Sequence, residues 1–183
     1  LTIVPPMNAF GQELGLYHEG YEFDATHIDT SLLVEDKESN TSHLFLCDNT
    51  PYDLKVLENI EIKNLNTLWY PFNSYAQDYP VCYNLNEQEK SDIHDAMHEK
   101  RKLAVEKCLI ALNPEFHFPH SADFVLNGPM SKSFEDYTSL EYMDRKLVAK
   151  TYSFPNINSQ SEYAYYGDEL EFESGKKMKI HRN

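Results

Sequence analysis

Four histidines are the residues of this chain with the most chemical reach. His94 and His98 stand four apart in the stretch from Asn86 to Leu112, so on a helix both rings could reach one ion. His117 and His120 follow a short turn later, with Glu115 beside them. Two such pairs make an alternative reading available, a metal-dependent hydrolase using zinc or another divalent transition metal. Two things weigh against it. His98 lies off the helix's apolar stripe, towards solvent. The run His94-Asp95 … His98-Glu99 also departs in spacing and identity from the His-Glu-x-x-His of metalloproteases.

A second candidate group is Glu169, Glu171 and Glu173, which alternate and so share one face of a strand. With Glu162 they could bind a cation or serve acid–base chemistry, but alternating carboxylates on a solvated sheet face are the commoner arrangement. Other catalytic sets are missing. The six glycines are scattered, with no phosphate-cradling loop and no Gly-x-Ser-x-Gly elbow. No arginine precedes Arg101 to hold a nucleotide's phosphates, and nothing near Cys82 would lower its pKa.

The third group is aromatic. Trp69, Tyr70, Phe72, Tyr75 and Tyr79 fall within one stretch, with Pro71 and Pro80 among them. Prolines argue against a long regular element, so 69–83 is expected to be an ordered connection leading into the main helix. Rings of this kind give rigid, amphipathic contact area and are enriched where partners dock.

Charge supports docking. Thirty Asp and Glu against sixteen Lys and Arg give −14. Residues 1–86 hold thirteen carboxylates against Lys37, Lys55 and Lys63, a balance of −10. Such a field repels phosphate backbones and anionic lipid and attracts basic proteins. The expected function is therefore a non-catalytic acidic binding protein, an inhibitor, immunity-type factor or assembly subunit that docks on a basic protein. No direct nucleic-acid or membrane contact is expected. A nucleic-acid mimic, with carboxylates imitating phosphates, is a further alternative.

The elements that must position these groups read as follows. Asn86 and Glu89 form a capping-box pair, no Gly or Pro interrupts the run to Leu112, and Pro114 stops it. Ile93, Met97, Ala104, Cys108 and Ala111 make its apolar stripe, and the apolar last turn, Cys108 to Leu112, should be buried. A second helix is expected over about 139–150. Ser31–Glu35 with His43–Cys47, and Leu170–Ile180 around Ser174-Gly175, read as hairpins. Ile60-Glu61-Ile62-Lys63 alternates like a strand, and Asn113–His120 reads as a turn.

The fold class expected is α+β: a mostly antiparallel sheet of hairpins, packed against a long helix at about 86–112 and the shorter one, in a single domain. Cys108 reads as a core thiol, and the odd set Cys47, Cys82 and Cys108 leans towards a reducing, cytoplasmic setting. No basic-then-apolar leader is visible.

Overall fold

The long helix forms where its caps place it. The computed structural model describes residues 1–4, 31–46, 60–72, 84–120, 144–173 and 177–183. Helix α1 (Glu87–Leu112) opens on a complete capping box. Glu89 N–H donates to Asn86 Oδ1 at 3.0 Å, and Asn86 N–H donates to Glu89 Oε2 at 2.9 Å. It closes at Asn113, which turns left-handed at φ 45° and donates its N–H to the Leu109 carbonyl. Pro114 follows.

Among the described residues eight strands accompany it: β1 (Thr2–Val4), β2 (Ser31–Asp36), β3 (Thr41–Phe45), β4 (Leu65–Pro71), β5 (Phe116–His120), β6 (Gln160–Ser161), β7 (Glu169–Glu173) and β8 (Lys177–His181). A short helix, α2 (Arg145–Thr151), precedes β6. The class is α+β. The first six strands form one sheet in the order β1-β2-β3-β4-β5-β6. Pairing is antiparallel through β1, β2 and β3, then parallel from β3 to β6. The parallel half lies beyond what hairpins build, because α1 carries the chain from β4 back to the start of β5.

One face of this sheet carries the core. Leu33, Leu44, Leu68, Tyr70 and His117 point from it and are at most 1% exposed, against Val105, Cys108 and Leu109 of α1 and Val148 and Tyr152 at α2. The buried side of α1 follows the spacing His98, Arg101, Val105, Cys108 and Leu109. That corrects three expectations. Ile93 and Ala111 are exposed, the last turn leaves Ile110 65% exposed, and His98 is buried at 8% exposure. Apolar residues lie on both sides of this helix, and the sheet takes the side that continues to Val105 and Leu109.

Two further expectations change. Residues 61–63 are not strand; the strand begins at Leu65 and runs through the aromatic stretch to Pro71. Phe116–His120 is a strand between β4 and β6, not a turn. Prolines hid both, and the ladder explains how each is tolerated. Glu115 and His117 use their carbonyls towards β6, whereas His120 uses its own towards β4. Pro119 therefore turns its missing N–H towards β6, whose pairing stops at His117. The short helix is described from Arg145, where Asp144 is extended and caps it through Lys146 N–H at 2.9 Å; residues 139–143 lie outside the described ones.

The hairpin β7–β8 is a separate two-stranded sheet. Its register sets Glu169 opposite His181, Glu171 opposite Lys179 and Glu173 opposite Lys177. Glu169 and Glu171 thus face His181 and Lys179 across the hairpin, while the side chains of Glu173 and Lys177 lie outside the described ones. His181 Nε2 donates to Glu171 Oε2 at 2.9 Å.

Candidate functional site

Strand alternation divides the aromatic cluster. Trp69 and Tyr70 are neighbours, so their side chains leave opposite faces of β4. Tyr70 enters the core at 0% exposure and Phe72 is buried at 2%, while Trp69 is half-buried on the other face. Tyr75 and Tyr79 lie outside the described residues. Of the five rings, Trp69 alone among the described ones faces away from the core.

Trp69 is held on all sides. Register places Phe45 beside it on β3 and Phe118 beside it on β5. The indole stacks on Phe118 at 4.2 Å and 8°, and on Phe45 at 5.5 Å and 17°. The three rings form a ladder across three strands. Its inner end, Phe118, is fully buried, and its outer end, Phe45, is 36% exposed.

The indole nitrogen anchors a second structure, a hydrogen-bonded chain of six side chains. Trp69 Nε1 donates to Thr67 Oγ1 at 3.0 Å, and Thr67 Oγ1 lies 2.9 Å from His43 Nδ1. His43 Nε2 lies 3.3 Å from Thr41 Oγ1, Thr41 Oγ1 lies 2.7 Å from Ser39 Oγ, and Ser39 donates to Asp36 Oδ2 at 2.5 Å. The ends fix every direction between them. An indole N–H only donates and a carboxylate only accepts. For the neutral ring, one proton per contact is possible only if Thr67 donates to Nδ1 and His43 carries its proton on Nε2.

The charges agree with that assignment. Ser39 and the Glu38 N–H hold the Asp36 carboxyl below its usual range. Burial lowers the His43 pKa, and Asp36 opposes this. Protonating Nδ1 would turn the Thr67 hydroxyl away from the ring. Phe172 of β7 packs over His43 with ring centres 4.5 Å apart. Both ring nitrogens are thus engaged within the chain, and the arrangement fixes a surface.

The other histidines with described side chains do not assemble into one site. His117 and His120 stand three apart on β5 and leave opposite faces. His117 is fully buried; its Nε2 donates to the Tyr152 carbonyl at 3.1 Å and its Nδ1 accepts from Ser159 Oγ at 2.9 Å. Burial holds its pKa down at about 4. His120 Nε2 donates to the Leu46 carbonyl at 2.7 Å. His98 is buried on α1, and the His94 side chain lies outside the described ones. Among the described residues no three His, Cys, Asp or Glu side chains are grouped to hold a metal ion. Cys108 is a free, buried thiol whose pKa burial raises to about 12; Cys47 and Cys82 lie outside the described residues.

No family model matches the chain, and neither does any curated protein or solved structure. Among the described residues no helix is long and apolar enough to cross a membrane.

Trp69 was legible in the sequence as a member of an aromatic cluster. Phe45, Phe118, Thr67 and His43 were not, because strands β3, β4 and β5 bring them together from positions far apart in the chain.

Proposed function

We propose that the protein is a non-catalytic acidic binding protein that docks on a basic protein partner, with the Phe45–Trp69 end of the ladder as its apolar contact. The observation that carries this reading is the fixed indole beside an exposed ring. Trp69 is stacked on both sides and held at its nitrogen, so little side-chain freedom remains to be lost on binding. The net charge of −14 supplies attraction for a partner of opposite sign. Inhibitor, immunity-type factor and assembly subunit are the roles such a surface serves.

The test is to isolate the native protein with its bound proteins at low and at physiological salt, then measure the affinity of each identified partner for the wild type and for Phe45→Ser. The expected partner is basic, is held more weakly as salt rises, and loses affinity in the variant. An acidic partner, or binding indifferent to both salt and Phe45, overturns the reading.

A further inference from the structure

A cleft of about 980 Å³ opens at the end of the sheet where β3 and β4 begin and α1 ends. Its size falls in the range of small-molecule sites. Its inner wall is apolar: Ile62, Leu65 and Leu112 are partly buried and continue into the core. Its polar groups are amides, hydroxyls and carboxylates, and no Lys, Arg or His lines it among the described residues.

Three chain reversals deliver amides to its mouth. Asn40, Asn64 and Asn113 are the three non-glycine residues with positive φ among the described residues, and all three line this cleft. Asn40 belongs to the β2–β3 turn, Asn64 precedes β4, and Asn113 caps α1. Deeper in, Asn66 is 5% exposed. Its oxygen accepts from Ser42 N–H at 3.3 Å, and its nitrogen donates to Glu115 Oε2 at 3.4 Å. That nitrogen carries two hydrogens, and the second has no acceptor among the described residues. A buried donor left open towards a cleft is costly unless something entering the cleft accepts from it.

We propose that this cleft binds a neutral sugar. An uncharged ring rich in hydroxyls offers an acceptor to Asn66 and donors to Glu115 and the mouth amides, while its C–H face meets Ile62, Leu65 and Leu112. Phosphorylated or carboxylated ligands are disfavoured, because the described lining carries Glu38 and Glu115 with no cation among the described residues to offset them. The site is separate from the aromatic ladder and independent of the docking reading.

The experiment titrates the full chain with glucose, galactose, N-acetylglucosamine and maltose, followed by NMR and calorimetry, with inorganic phosphate and spermidine as comparison probes. Saturable binding of at least one sugar is expected, with no binding of phosphate. Asn64→Gly and Asn113→Gly remove an amide while suiting the left-handed backbone, so they keep the fold. Each is expected to weaken the sugar about fivefold, the worth of a typical hydrogen bond. Glu115→Gln, which keeps shape and loses charge, is expected to weaken it as well. No saturable sugar binding, affinity untouched in both glycine variants, or binding of spermidine in place of sugars overturns the proposal.

Discussion

Pro71 and His120 are register partners on β4 and β5, and the second supplies a hydrogen bond that the first cannot make. Leu46 N–H donates to the Trp69 carbonyl at 2.8 Å. A parallel ladder would then return a bond from the N–H of residue 71 to the Leu46 carbonyl. Proline has no N–H, and His120 Nε2 reaches that carbonyl at 2.7 Å instead. The imidazole thus completes a sheet ladder.

This predicts coupling between the two positions. His120→Ala in the native background leaves the Leu46 carbonyl without its donor and costs about 1–3 kcal/mol. In a Pro71→Ala background the restored N–H can make the bond, so the same substitution should cost about 1 kcal/mol less. A double-mutant cycle by denaturant unfolding measures this; strict additivity would show that His120 acts independently of Pro71.

His117 makes stability depend on pH. Its folded pKa of about 4 lies below the ordinary 6.5, so the unfolded chain binds this proton and the folded chain refuses it. Stability is therefore complete above about 6.5 and falls as pH drops towards 4. The loss attributable to this one group is roughly 3 kcal/mol. Unfolding of the wild type and of His117→Gln, compared at pH 7 and pH 4, should differ by about that amount in their pH dependence, because the carboxylates contribute to both.

The side-chain chain from Asp36 to Trp69 fixes a tautomer. Nitrogen NMR should find neutral His43 protonated on Nε2, titrating below the ordinary histidine value. Asp36→Asn removes the one charge that raises this pKa, so it should fall further. Thr67→Val leaves His43 Nδ1 and Trp69 Nε1 without their shared partner and should cost about 1–3 kcal/mol. A ring protonated on Nδ1 in the wild type would contradict the assigned directions.

The split of the aromatic cluster gives opposite expectations for its members. Tyr70→Ala should cost about 3–5 kcal/mol, as for a large buried ring. Tyr70→Phe should be neutral or stabilising, because its hydroxyl is buried without a hydrogen-bond partner among the described residues, and burial raises its pKa well above the usual value. Phe45→Ser should move stability little and act on partner affinity. Thermal unfolding of the three variants separates these outcomes.

Local signals carried much of the architecture. The capping box at Asn86 and Glu89, the stop at Asn113-Pro114 and the hairpins β2–β3 and β7–β8 all rest on residues close in sequence, and all were legible there. Strands β4 and β5 were hidden because Pro71 and Pro119 read as breakers, and only the neighbouring strands reveal that their missing donors do no harm. The buried side of α1 was partly misplaced because Ile93 and Ile110 are apolar yet exposed, whereas His98 and Arg101 are buried. The ladder and the six-residue chain need three strands in register, which no local pattern encodes.

The six-stranded sheet lists its strands in the order of synthesis. Each strand therefore finds its neighbour already present when it leaves the ribosome, and none must be threaded between two that are joined. The open side of the growing sheet moves forward one strand at a time. Its longest wait on the described path falls between Pro71 and Phe116, while α1 is being made. During that interval the bare edge of β4 is the place where a nascent chain is most open to pairing with the wrong strand.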